Sequence, residues 1–314
     1  MGADNRETIV LKNEGKTNND IVRLMTELSA EQIAQAEDFA GTIDVTDRMA
    51  VLKYGNAARQ KTSRFAESSL LSLPANDLNE IREDIRKLLK KQKEFIAAFE
   101  KSDQLNGYTK ESYASFRSLY DKFSNALGEC SRRLEIHCSS LHRHIDRMEG
   151  LYENCMNIIR EFDMYIYAGM ACLKENRESK LPQMALLAER SGLLEDSLKA
   201  EDFKNANDVF EKQIHDLSIS RSIPLQTMTQ IRLIQKTDEL IAESLETLRM
   251  DTFALYRNRV ILSLGLQKTD KENEKIIDPD LFLQANNDLS AALNAVLKTE
   301  SRQKEKQKQG LFRK

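Results

Sequence analysis

FRSLYDKFSNALGECSRRLEIHCSSLHRHIDRMEGLYENCMNIIREFDMYI, Phe116 to Ile166, runs without a proline and decides the fold. Its apolar positions are Phe116, Tyr120, Phe123, Leu127, Cys130, Leu134 and His137, then Leu141, Ile145, Met148, Tyr152, Cys155, Ile159, Phe162 and Ile166. The steps alternate four and three. That rhythm averages about 3.5 residues, so the side chains form one narrow stripe that requires a partner helix. The one slip is at His137, Leu141 and Ile145, where two steps of four predict a local register adjustment.

Working outward, the composition agrees with a helical chain. Of 314 residues, 40% are hydrophobic and 31% charged, with 4 prolines and 11 glycines, a mixture rich in helix formers and poor in turn formers. Tryptophan is absent and aromatics are 6%. A large aromatic core, a carbohydrate platform or a base-stacking site is not expected. With 47 Lys and Arg against 50 Asp and Glu, the net charge of −3 supplies no field for nucleic acid.

No apolar run approaches the roughly 20 residues that span a bilayer. The start lacks a basic-then-apolar leader, and Arg6 stands where a myristoylation signal wants Ser or Thr. Cys130, Cys138, Cys155 and Cys172 share one helix at spacings that forbid pairing within it. Reduced thiols and a cytoplasmic protein are the expectation.

Along the chain, residues 1–18 are polar and aperiodic and are expected to be disordered. A first helix covers Asp20 to Phe39. After Gly41, Asp44 caps a second that runs through Met49, Leu52 and Phe65 toward Pro74. A third carries Leu78, Ile81, Ile85, Leu88, Gln92, Phe95 and Phe99 and closes at Asn106-Gly107. The long arm, about 109–177, would measure roughly 105 Å unbroken, with Gly128, Gly150 and Gly169 as bending points. Residues 178–200 form the turn region. The return arm, about 201–268, is divided at Pro224 and keeps the rhythm from Ile231 through Asp238 and Arg259 to Leu266. Asp238 and Arg259, placed on the seam, call for partners on other helices. Residues 269–279 form a linker. Asp278-Pro279 starts a last helix over 280–314. The fold class is all-α, an elongated antiparallel helical bundle or coiled coil with very long helices.

The return arm carries a family resemblance. FEKQIHDLSISRSIPLQTMTQIRLIQ, Phe210 to Gln235, and YRNRVILSLGLQK, Tyr256 to Lys268, resemble the toxic anion resistance family known as TelA. IDVTDRMAVLKYGNAARQKTSRFAESSL, Ile43 to Leu70, resembles that family's amino-terminal block. LYENCMNIIREFDMYIYAGMACL, Leu151 to Leu173, resembles its central block, with Tyr165, Tyr167 and Gly169. On this resemblance residues 19–268 form the TelA-like region. It implies a bacterial protein linked to resistance to tellurite and to agents that attack the envelope, and it implies no reaction. The Cys and His residues between 130 and 144 lie outside the family pattern.

Candidate sites are few. Arg221, Gln226, Gln230, Arg232 and Gln235 interrupt the apolar rhythm around Pro224. Arg and Gln donors beside a broken backbone can hold an anion or a partner, and equally can form a polar network that sets helix register. Cys138 and His142, four apart, share a helix face and could bind a soft ion. Cys130 and His137 fall on the seam instead, and His144 points away from it. The stretch Arg86, Lys87, Lys90, Lys91 and Lys93 reads as a solvated face. The tail has Lys298, Arg302, Lys304, Lys306, Lys308, Arg313 and Lys314, basic enough for weak contact with the inner membrane surface.

No glycine-rich phosphate loop, His-Glu-x-x-His, Cys-x-x-Cys or nucleophile elbow is present. The reading is therefore a non-enzymatic scaffold for protein partners, without a cofactor. The alternative is a module that sequesters an anion or metal directly. Oligomeric state is left open by the sequence.

Overall fold

The computed structural model describes residues 28–67, 75–106, 110–266 and 277–312. The described residues are all-α, with no strand among them. The helices are α1 (Ala30–Ala40), α2 (Arg48–Lys53), α3 (Asn56–Glu67), α4 (Ala75–Asn106), α5 (Lys110–Glu175), α6 (Leu181–Ser191), α7 (Leu194–Thr247), α8 (Phe253–Ser263) and α9 (Pro279–Phe312). The two longest, α5 and α7, have 66 and 54 residues.

The seam decides burial. Twelve of its fifteen positions are buried, and Tyr120, Ile145 and Tyr152 are half-buried. At the slip His144 rather than Ile145 turns inward, reaching 4% exposure. With His144 inward, the buried positions Leu134, His137, Leu141, His144 and Met148 keep alternating steps of three and four, so the expected slip does not occur there. This corrects the expected orientation of His144.

Helix ends follow local chemistry. Ser29 and Gln32 cap α1 reciprocally, each side chain bonded to the other's backbone N–H. The cap of α2 is Asp47, whose carboxylate accepts from the N–H groups of Met49 and Ala50. Asp44, expected in that role, accepts instead from the N–H and hydroxyl of Thr46. The second expected helix is split at Gly55, whose φ of +71° is costly for any other residue. Gly192, φ +63°, ends α6 in the left-handed conformation. Asp278 caps α9 through the Leu281 N–H, ahead of Pro279. Five-residue π turns, Asn176–Lys180 and Leu248–Thr252, join α5 to α6 and α7 to α8.

Pro224 does not divide α7, which is assigned helical from Leu194 to Thr247. Proline removes one backbone donor. Around it the hydroxyls of Ser220, Ser222 and Thr227 donate to the carbonyls of Asp216, Ile219 and Ile223.

The chain forms two units. The first draws on Met1–Ser68 and Glu153–Met228. In it the end of α5 and the start of α7 run antiparallel, joined through α6, as the pairs Asn176 with Asn207 and Asp163 with Arg221 record. Their shared core includes Phe162, Ile166, Phe210, Ile214 and Leu217. Tyr54 packs edge-on against Phe210 and Tyr165, and its hydroxyl donates to the Tyr165 carbonyl.

The second unit draws on Ser69–Tyr152 and Thr229–Lys314. Its core joins Ile85 and Leu88 of α4, Leu127 and Leu134 of α5, Ile241 and Leu245 of α7, Tyr256 of α8, and Leu289 of α9. The few aromatics are concentrated here: Phe95 stacks on Phe123 at 5.2 Å and Phe282 packs on both Phe95 and Phe99. Inside this core Gln92 donates to the Asn286 carbonyl at 2.7 Å and accepts from the Ser290 hydroxyl. Tyr256 donates to Asn286 Oδ1. A satisfied polar network of this kind fixes how three helices align.

The first expected helix, Asp20 to Phe39, is not continuous, because Ser29 is extended and caps a helix that begins at Ala30; the expected disorder of residues 1–18 and most of the linker 269–279 lie outside the described residues. So do the side chains of the tail beyond Ser301.

Candidate functional site

The polar residues singled out around Pro224 fall in both units. In the first, Arg221 projects from α7 onto Asp163 of α5. Its Nε lies 2.5 Å from Oδ1 and its Nη2 3.0 Å from Oδ2, and both side chains are about 5% exposed. This is a two-pronged, buried ion pair. Gln226 is exposed on the same helix. An anion entering here would have to displace Asp163 from the guanidinium.

In the second unit Arg232 and Gln235 converge on Glu149 of α5. Arg232 reaches both carboxylate oxygens, at 2.5 and 3.1 Å, and Gln235 donates to Glu149 at 2.8 Å and to the Ile145 carbonyl at 3.3 Å. The Arg232 guanidinium also lies 3.7 Å above the Tyr152 ring. The hydrogen bonds from Gln235 and Arg232 hold the Glu149 carboxyl below its ordinary pKa. Gln230 is half-buried and Arg232 exposed. The five candidates are thus not one cluster. Arg232 and Gln235 share Glu149, Arg221 has Asp163, and Gln226 stands apart.

Cys138 and His142 are not brought together. Cys138 is buried and directs its thiol toward the Ala242 carbonyl, 3.9 Å away, whereas His142 is exposed. Among the described residues no group of three or more His, Cys, Asp or Glu is placed to hold a metal ion. Burial pushes the thiols of Cys130 up to about 12 and of Cys138 and Cys155 to about 11. A thiol so raised is a poor nucleophile and a poor metal ligand.

Sequence reasoning did not single out two further buried pairs. His144 Nδ1 lies 2.6 Å from Asp238 Oδ2 across α5 and α7, and burial raises the Asp238 pKa. His137 and Arg133 both meet Asp84 of α4, at 3.3 and 2.8 Å. Asp238 had been placed on the seam with a partner required elsewhere, and His144 is that partner. Arg259 likewise meets Asp288 of α9. The missing signal was register: which residue of one helix faces which residue of the next is not written in either helix alone.

Among the described residues no helix is long and apolar enough to cross a membrane.

Comparison with known proteins matches residues 36–278 to the family model described as "Toxic anion resistance protein (TelA)". The TelA-like protein SH1505 of Staphylococcus haemolyticus is 23% identical over 271 residues, covering 84% of this chain and 69% of that protein. The uncharacterized protein YaaN of Bacillus subtilis is 28% identical over 264 residues, covering 80% and 67%. The chain therefore spans about two thirds of the length of these relatives. Among solved structures, the soluble AhlC component of a tripartite α-pore-forming toxin from Aeromonas hydrophila aligns with a TM-score of 0.48 at 12% identity, covering 89% of this chain and 95% of that one.

Proposed function

The chain belongs to the toxic anion resistance protein (TelA) family, and from that premise we propose that it acts in resistance to oxyanions such as tellurite as a non-enzymatic helical scaffold for protein partners. The observation that carries this reading is the pairing of Arg221 with Asp163. The stretch that most resembles the family uses its buried cation to lock two helices together. Arg232 and Gln235 do the same with Glu149 at the surface. Alongside these clamps α7 displays apolar side chains outward. Ile219 and Ile223 are exposed in the first unit, Leu233 and Leu240 in the second, and exposed apolar helix faces are what a partner helix recognises.

The test separates a clamp from a ligand site. Arg221→Ala removes the guanidinium from a buried carboxylate, a loss of about 3–5 kcal/mol, whereas replacing both partners with apolar residues of similar size is neutral or stabilising. Cells carrying Arg221→Ala are expected to lose protection against tellurite. Cells carrying Asp163→Leu with Arg221→Met are expected to keep it, with helix content checked by circular dichroism. Loss of protection in the folded double variant overturns the scaffold reading, because the guanidinium itself would then be required.

A further inference from the structure

The turn of the first unit carries an apolar surface that the reading above does not use. Helix α6 has no buried residue. Leu187 and Leu193 are about 60% exposed and Leu194 is 75% exposed, with Leu186 and Leu198 about half exposed. Gly192 makes the reversal between them tight. Five large side chains held in water within so short a stretch mark an interaction surface. Its charge narrows the partner. From Leu186 to Asp202 there are five carboxylates, Glu189, Glu195, Asp196, Glu201 and Asp202, against Arg190 and Lys199. An anionic bilayer and a second identical tip would both be repelled. A cationic surface with apolar ground is what fits.

The second unit has that surface. Between α4 and α5 runs a groove whose larger depression, about 340 Å³, is lined by Lys91, Phe95, Leu119, Lys122 and Phe123 with Glu94. Lys91 also borders the adjoining depression, where Lys87 and Arg133 stand over Leu88 and Ala126, with Glu129 at the edge. The two depressions together are lined by the cations Lys87, Lys91, Lys122 and Arg133 against Asp84, Glu94 and Glu129, with Lys87 also 3.9 Å from Glu83. Asp84, the buried carboxylate beside it, is already bonded to Arg133 and His137.

We propose that the acidic, leucine-bearing tip formed by α6 and the start of α7 in one copy seats in the cationic, apolar-floored groove between α4 and α5 of a second copy. The leucines would cover the exposed parts of the groove floor while Glu195 and Asp196, bridged within their own helix to the exposed Lys199, exchange that surface partner for Lys87 and Lys91. Tip and groove are different surfaces, so the contact is head-to-tail and repeats from copy to copy instead of closing on a two-fold axis. It does not depend on the scaffold reading, and its test needs neither cells nor tellurite.

The experiment is sedimentation velocity on the full chain across a concentration series at low and high salt. The mean mass is expected to rise with concentration and to fall with salt. The groove reversal Lys87→Glu with Lys91→Glu and the tip reversal Glu195→Lys with Asp196→Lys are each expected to weaken association at least tenfold. Mixed together, the two variants are expected to associate again, because each reversed surface meets its complement on the other chain. Leu194→Ser, a change at a largely exposed position, is expected to weaken association with unchanged helix content. A single monomeric species at every concentration, association indifferent to either reversal or to Leu194→Ser, or a mixture that does not recover overturns the proposal.

Discussion

At the scale of single residues, this protein spends its conspicuous polar side chains on one another. Glu149 and Glu211 illustrate the consequence for pH. Hydrogen bonds from Gln235 and Arg232 lower the first, and those from Arg177 lower the second. A carboxyl whose folded pKa is depressed contributes stability that is present above its unfolded value, about 4.3, and is lost as pH falls through the folded value. Glu149→Gln and Glu211→Gln should therefore lower the denaturation midpoint at neutral pH, and the deficit should be smaller at an acidic pH below the unfolded value. Denaturant titrations at both pH values check this. The four buried thiols lead to a second expectation. With Cys130 near 12 and Cys138 and Cys155 near 11, thiolate is scarce at pH 8 and side-chain access is closed. Labelling by a chromogenic disulfide reagent should be slow in the folded chain, and all four should react in denaturant. Arg221 and Arg232 were legible as singular residues in the sequence, because each interrupts an apolar rhythm. Asp163 and Glu149 were not, since an acid next to a seam looks like any solvated acid until the facing helix is known.

At the scale of elements, the rhythm of threes and fours was sufficient for the long helices and insufficient for their joints. Alternating apolar steps located α4, α5, α7 and α9. The split at Gly55 escaped because glycine within a helical pattern costs only about 1 kcal/mol and does not announce a positive φ. Pro224 was over-read for the opposite reason: proline forbids one hydrogen bond, and a helix that keeps the rest continues through it from Leu194 to Thr247. Two glycines in α5 test how far propensity or packing governs. A Cβ on Gly150 would meet nothing within 4 Å, while one on Gly169 would lie 2.6 Å from Ile214 Cδ1. Gly150→Ala should stabilise by about 1 kcal/mol. Gly169→Ala should destabilise by about 1–3 kcal/mol, and Ile214→Val should relieve part of that loss. Thermal denaturation of the three variants gives both signs directly.

At the scale of the whole molecule, the two units keep separate cores. Phe162 belongs to one and Leu134 to the other, and both are fully buried. Phe162→Ala should cost about 3–5 kcal/mol and Leu134→Ala about 2–5 kcal/mol. Amide hydrogen exchange should show each loss concentrated in its own unit: around Ile166 and Phe210 for the first, around Leu127 and Leu245 for the second. Exchange that rises equally everywhere would mean a single cooperative block. The family was legible because its signature stretches lie in order along the chain, and residues 36–278 match it. Mechanism was less legible, since a phenotype names no atoms and the two arginines it draws attention to are held by Asp163 and Glu149.

The tight reversal at Gly192 carries a last implication, for how this chain tolerates change in length. Asn207 and Arg221 meet Asn176 and Asp163 only because the residues on either side of that bend are kept in count. Deleting one residue between Gly192 and Asn207 would swing every later side chain by about 100° around its axis, turning Arg221 away from its carboxylate. Whole heptads nearly restore the angle, so viable insertions and deletions here should come in sevens, matched on both sides of the bend.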